Sequence, residues 1–318
     1  MRGERELTAK LPATPEAWAI RITQLLNAVR DAHRIPRFPI DVAEVAMEIS
    51  RQYFPEAPIT MVAGAALSKG VEGMLVPKND GSGEWGILYN NSIRSRGRQN
   101  FTLAHEFGHY LLHRAELASG RECSGRDMGE WSNGRQRTRH EIVEAEANTF
   151  ASFLLMPLDD FRYQIRSRTV DIESLTGMAD RYTVSLTAAI LKWLSITDKR
   201  AMIVVGKDDY MDWAWSSDAL LRSGIYYAAR QDVIELPSAS LAVCGGDPDK
   251  ARRGVTHPPG VWRGSEPVHE MTVFSPSNEM TISLLLYPDR APTAAEMASL
   301  EEEAVSDTFD RFTSNSTQ

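Results

Sequence analysis

The stretch FTLAHEFGHYLLHR, residues 101–114, sets His105, His109 and His113 at four-residue steps and places Glu106 directly after the first. Helical residues advance 100° each, so positions i and i+4 point the same way, one turn apart. His105 and His109 can therefore grip one ion, with Glu106 beside the first of them. This is the H-E-x-x-H pattern, in which two imidazoles bind zinc and the carboxylate takes a proton from water activated by the metal. The plain alternative is an ordinary helix with surface histidines, and residues further along the chain decide between the two. His113 shares the face, but two histidines and one carboxylate already fill a shell. A satisfied, partly buried histidine is its expected role, close to the site without ligating.

Catalytic zinc takes three protein ligands and leaves one position for water. HEIVEAEANTFASFLLMP, residues 140–157, reads as a helix stopped by Pro157 and offers Glu141, Glu144 and Glu146. Its apolar stripe is Val143, Ala147, Phe150 and Leu154. Glu144 and Glu146 lie roughly 80° to either side of that stripe. Glu144 shares its side with Asn148 and the small Ala151, which leaves room for an ion and a neighbouring helix. Glu146 lies by Phe150 and Phe153, where bulk crowds a metal, and is expected to be a solvated surface carboxylate. Glu144 is the expected third ligand. Asn148, one turn on, can hydrogen-bond a ligating histidine from outside.

These residues need elements to carry them. Thr14-Pro15-Glu16 opens a helix, and Asp41 is the expected N-cap of a second. GVEGMLVPKNDGSGEWGILYNN, residues 70–91, reads as a hairpin, with WGILYNN as a possible edge strand for an extended substrate. The motif helix spans about 99–115. ASGRECSGRDMGEWSNGRQRTR, residues 118–139, is expected to be a long polar loop. Residues 171–197 suggest two short helices around Thr183-Val184-Ser185, spaced as in a helix-turn-helix, with Ala179 at the packed corner and Val184 beneath the turn. Lys192 is the sole cation of the second helix, which favours a structural helix pair over DNA contact. From about 200 the chain turns β-rich, with strands expected in AMIVVGKD, MDWAWSS, GIYYAAR, SLAVCGG, VHEMTVFS and EMTISLLLYP. In that pattern Cys244 reads as a small buried hydrophobe. A closing helix is expected at 293–312.

Length and composition bound the class. At 318 residues, 42% hydrophobic and 25% charged, the chain suits a soluble protein of two or three units. A net charge of −8 gives no global attraction to nucleic acid or acidic membrane. The N-terminus, MRGERELTAK, has no apolar h-region, and no apolar run approaches ~18 residues, so neither secretion nor a membrane span is expected. Two cysteines, Cys123 and Cys244, exclude a disulfide framework and suit a reducing cytoplasm. Two basic clusters flank the motif, Arg94, Arg96 and Arg98 before it and Arg135, Arg137 and Arg139 after it. They could grip nucleic-acid phosphates or be solvated loop charge. His140 and Tyr163 are candidate donors to a transition-state oxyanion.

FTLAHEFGHYLLH followed by EAEANTFASFLLMP resembles the ImmA/IrrE-type (DUF955-like) zinc metallopeptidases. GILYNNSIRSRGRQNF before the motif and DRYTVSLTAAI after it fit the same pattern, over roughly residues 20–195. The resemblance, which extends to the CapP-like subgroup regulating anti-phage defence, implies an α+β chain in three parts. These are a gluzincin-like peptidase domain at 1–160, a helix-turn-helix-like segment at 161–200 and a GAF- or PAS-like sensor at 201–318. It implies one zinc ion per chain held by His105, His109 and Glu144, with Glu106 as general base. It also implies a helix-turn-helix repressor as substrate, cut on a stress signal such as DNA damage or single-stranded DNA, and no membrane partner. A DNA-binding regulator or nucleic-acid sensor with a structural zinc site is the competing expectation. One departure stands out: the gap between His109 and Glu144 holds a long polar loop with a cysteine. If Cys123 reached the open zinc position as a thiolate, it would displace the water and silence the enzyme, resembling the cysteine switch of other latent zinc proteases. The alternative is a surface thiol without a partner.

Overall fold

The computed structural model describes residues 11–116, 121–124, 138–166, 169–229, 232–275 and 279–290, with 121–124 as backbone alone. Their contacts form two compact units. One holds the described residues up to Val170 together with Ser174–Ala189; the other holds Asp171–Glu173 and the chain from Ile190 onward.

In the first unit, α1 (Pro15–His33) starts where the Thr14 hydroxyl accepts from the Ala17 amide, with proline in the first turn. α2 (Val42–Tyr53) starts on Asp41, whose carboxylate accepts from the Glu44 amide. The strands β1 (Ile59–Ala65), β2 (Val71–Pro77) and β3 (Trp85–Asn90) precede α3 (Arg96–His113), and β4 (Arg121–Ser124) follows it. Then come α4 (Arg139–Leu155) and α5 (Leu158–Ile165), followed by α6 (Ile172–Tyr182) and α7 (Leu186–Leu194), of which Ser174–Ala189 belong to this unit.

The expected hairpin is present as antiparallel β2 and β3. The sheet order is β1-β3-β2-β4, so β3, the WGILYNN segment, is central instead of at an edge. β1 pairs with it in parallel, a non-local partner the local pattern does not announce. β4 interrupts the expected polar loop by pairing antiparallel with β2. α3 packs on β2 and β3 and against α4, and α1 also packs on α4. Trp18 and Ile22 of α1, Phe107 and Tyr110 of α3, and Phe150 and Leu154 of α4 are all buried between these elements. Each such side chain contributes roughly 2 kcal/mol on leaving water.

Ala179 and Val184 are buried at the α6–α7 corner, where the Val184 amide donates to the Ala179 carbonyl at 2.9 Å. The turn is occupied by its own unit. A Cβ on Gly97 of α3 would stand 2.6 Å from the Val184 carbonyl carbon, and Asn100 donates to the Thr183 carbonyl at 3.3 Å. The turn thus packs closely on α3.

In the second unit, β5 (Ala201–Lys207) and β6 (Tyr210–Ser216) are followed by α8 (Asp218–Arg222), α9 (Leu241–Cys244), α10 (Pro248–Arg253), β7 (Val255–His257), β8 (Val268–Ser275) and β9 (Met280–Leu286). They make one antiparallel sheet of order β6-β5-β9-β8-β7. Met202, Val204, Leu220, Trp262, Leu285 and Tyr287 are among the residues of its core. The described residues of GIYYAAR form no strand, and SLAVCGG holds a short helix. The reason is local: the Ser240 hydroxyl caps α9, and the Leu241 and Ala242 amides donate to the buried Glu270 carboxylate. Cys244 is consequently exposed, not a buried hydrophobe, with its thiol donating to the Ser238 carbonyl. The expected closing helix at 293–312 lies outside the described residues. Among the described residues, no helix is long and apolar enough to cross a membrane.

Candidate metal centre

α3 begins where the Ser95 hydroxyl accepts from the Arg98 amide, and it runs through the motif without a proline. α4 begins on a capping box. Thr138 Oγ1 accepts from the Glu141 amide, and Glu141 Oε2 accepts from the Thr138 amide. The helix start thereby uses Glu141 and leaves Glu144 and Glu146 for α3. The two helices meet at Gly108, where a Cβ would stand 3.0 Å from the Phe150 ring and 3.2 Å from Ala147 Cα. That close crossing lets short side chains on both helices converge.

His105 Nε2 and His109 Nε2 lie 2.9 Å apart. Glu144 Oε2 is 3.2 Å from the first and its Oε1 3.4 Å from the second. One donor atom from each of the three residues fits within a 4.8 Å cluster, and all three residues are buried. The outward nitrogens have their own partners: His105 Nδ1 meets Asn148 Oδ1 at 2.9 Å, and His109 Nδ1 meets His113 Nδ1 at 3.2 Å. Because Asn148 Oδ1 accepts, His105 Nδ1 carries a proton, and Nε2 is the nitrogen that would give its lone pair to an ion. Two imidazoles and a carboxylate are the donor set of catalytic zinc.

The local field agrees with that chemistry. Burial opposes charge on Glu144, yet hydrogen bonds from His105 and His109 hold its carboxyl far below the ordinary carboxylate range. Burial likewise opposes charge on His105, but the Glu144 hydrogen bond and the charges of Glu106 and Glu144 raise its pKa. The negative charge that raises the His105 pKa also favours a metal cation.

Glu106 is fully buried beside this cluster. β2 approaches it so closely that a Cβ on Gly73 would stand 2.8 Å from Glu106 Oε1 and 2.5 Å from Thr102 Cγ2. The backbone of Cys123 pairs with Gly73 in the β2–β4 register; its side chain lies outside what the structure describes.

The remaining candidates are dispersed. Arg94 and Arg96 are exposed, whereas Arg98 pairs with the buried Glu72 of β2. Arg139 makes two hydrogen bonds to Glu116. Arg135 and Arg137 lie outside the described residues. His140 is exposed one turn before Glu144, and Tyr163 is 72% exposed.

Glu146 is outside the metal cluster and its side chain is 38% exposed, yet it also reaches α3, where its Oε2 accepts from His113 Nε2 at 2.8 Å. Burial holds His113 below the ordinary histidine pKa despite that partner. Gly73 and Gly108 are the site residues that the sequence did not single out, and the contact of Glu146 with His113 is what it did not foresee. Only the paired spacing of His109–His113 on one helix hinted at Glu146.

A solved Mycobacterium tuberculosis transcriptional regulator is similar over 84% of this chain and 76% of its own, at 11% identity and a TM-score of 0.48. No curated protein matches the chain. The Peptidase M78 family model, described as the IrrE N-terminal-like domain, matches residues 71–194, the stretch that runs from β2 through α7 and holds every residue of the metal cluster. Residues 71–194 are therefore similar to the IrrE N-terminal-like domain, whose family model carries the name of a peptidase family.

Proposed function

We propose that this protein is a zinc-dependent endopeptidase that cleaves a helix-turn-helix repressor in response to a stress signal and so relieves repression. The observation that carries the chemistry is the convergence of His105, His109 and Glu144 with Glu106 buried beside them. These three ligands would hold zinc, which when bound supplies a Lewis acid for the scissile carbonyl and brings the pKa of water toward ~7. Glu106 takes a proton as the water oxygen attacks the carbonyl carbon. It returns that proton to the amide nitrogen as the C–N bond breaks. A structural zinc site in a DNA-binding regulator would need a closing protein ligand and would leave Glu106 with no task. Among the described residues the cluster has three members.

The repressor, the signal (DNA damage or single-stranded DNA) and a role in anti-phage defence rest on the resemblance of the two linked motifs. The second unit is the proposed GAF- or PAS-like receiver. A single antiparallel sheet with short helices, and a recess of about 250 Å³ lined in part by Gly206, Leu236, Phe274 and Thr281, supports that role. Cys123 is the proposed inhibitory fourth ligand. What supports it is a backbone register that seats it opposite Gly73, the residue abutting Glu106.

The test is Glu106→Gln in the full-length protein, co-expressed with a co-encoded helix-turn-helix repressor. The variant should keep wild-type zinc content and thermal stability while cleavage falls by ~10³-fold or more, the scale of a lost general base plus its field. Cleavage near the wild-type rate would remove the mechanism.

A further inference from the structure

We infer that His113 and Glu146 are positioning residues that fix the tautomer and orientation of His109, so that its Nε2 lone pair faces the cation. The inference rests on the metallopeptidase reading above and extends it to a carboxylate outside the ligand set.

The argument follows the direction of each hydrogen bond. An ionised Glu146 can only accept, so His113 Nε2, 2.8 Å away, must donate to it. A neutral His113 with its proton on Nε2 has a lone pair at Nδ1. His109 Nδ1, 3.2 Å from that lone pair, must then carry the proton of its own ring. His109 Nε2 is then the nitrogen left to give its lone pair to an ion, facing His105 Nε2 and Glu144. The opposite tautomer of His109 would aim an N–H into the cluster and block an ion. A carboxylate two side chains away thus sets the polarity of a ligand.

The geometry supports a relay over a surface ion pair. His113 is 3% exposed, wedged between the rings of His109 and the carboxylate of the next helix, and its ring centroid is 5.4 Å from that of His109. The two ligating histidines are served differently. His105 is oriented by one neutral amide, Asn148, and His109 by an imidazole backed by a charge. Outer partners of metal-bound histidines typically change metal affinity by 10–100-fold.

The test measures zinc affinity of the full-length protein by chelator competition, and the visible absorption of its cobalt-loaded form. The Glu146 side chain is 38% exposed, so its replacement should leave the fold intact, as a thermal melt will show. Glu146→Ala should weaken zinc binding about tenfold and shift the cobalt bands. Glu146→Gln, whose amide oxygen still accepts from His113, should bind within about threefold of wild type. Glu144→Ala, which removes a ligand outright, should lose about a hundredfold or more. If Glu146→Ala matches wild type in affinity and spectrum while Glu144→Ala fails, the relay is wrong and the metal centre stands. If the wild-type protein itself binds neither metal, the metal centre falls and the relay falls with it.

Discussion

At the scale of single residues, Glu106 has its surroundings set by a glycine on another element. Gly73 brings β2 so close to α3 that any side chain there would collide with Thr102 and Glu106. The carboxylate is thereby held in a narrow, buried slot at the edge of the metal cluster. The same residue links the slot to β4, because Gly73 pairs with Cys123 across the β2–β4 ladder. The proposed latency adds a further step to that pairing: if the Cys123 thiolate reached the open zinc position it would exclude water, and an activating signal would have to withdraw it. Cys123→Ala should then cleave the repressor without any signal and bind zinc slightly less tightly, since one ligand is lost from the resting state. The measurement is cleavage with and without added single-stranded DNA. A variant as silent as wild type until stimulated would mean that restraint comes from elsewhere.

At the scale of elements, the helices after the site are clipped together by Asp160. Its carboxylate accepts from Arg181 Nε at 2.8 Å, Arg181 Nη2 at 2.9 Å and the Tyr182 hydroxyl at 2.6 Å, which joins α5 to α6. Burial opposes its ionised form, but the Arg181 and Tyr182 bonds outweigh this and hold its pKa below the ordinary aspartate value. The sign follows: protons bind the unfolded chain more readily, so the stabilisation is present above the unfolded pKa of about 3.9 and is lost as pH falls through the lower folded value. Asp160→Asn should lower the melting temperature by a few degrees at neutral pH and flatten the loss of stability below about pH 4. Identical melting curves for both proteins from pH 7 to 3 would refute the clip. Elements of this kind were unevenly legible in the sequence. Helices with a side-chain cap, such as α1 at Thr14 and α2 at Asp41, could be read directly, as could the four-residue step that pairs His105 with His109. Rotation about α4 singled out Glu144 because an azimuth is a local property. It did not foresee the contact of Glu146 with His113, because an azimuth does not say which side chain of the neighbouring helix will meet it. β1 and β4 escaped for a related reason: their pairing partners lie far along the chain, and the polar, Gly-rich composition around β4 masks a strand set by its neighbour.

At the scale of the whole molecule, chemistry and control are assigned to different units. Every residue of the metal cluster lies in the first, and the proposed receiver is the second. The second unit is organised around one buried carboxylate. Glu270 accepts from His257 Nε2 at 2.8 Å, Trp262 Nε1 at 3.0 Å, the Thr272 hydroxyl at 2.9 Å and the Ser283 hydroxyl at 3.2 Å, besides the two amides at the start of α9. Removing it would take the acceptor from four buried donors at once, His257, Trp262, Thr272 and Ser283. Such a deletion costs about 3–5 kcal/mol, enough to unfold a marginal domain. Glu270→Ala should therefore disrupt the second unit while zinc affinity stays within about twofold of wild type, because no ligand or ligand partner is touched. If this unit receives the signal, cleavage of the repressor by the variant should no longer respond to single-stranded DNA, whatever its basal rate. The decisive pairing is a tryptophan-fluorescence melt of the variant, which reports Trp262 and its neighbours, with a stimulated cleavage assay. Fluorescence showing the second unit unfolded, together with cleavage that still rises on stimulation as in wild type, would take the sensor role away from residues 201–318.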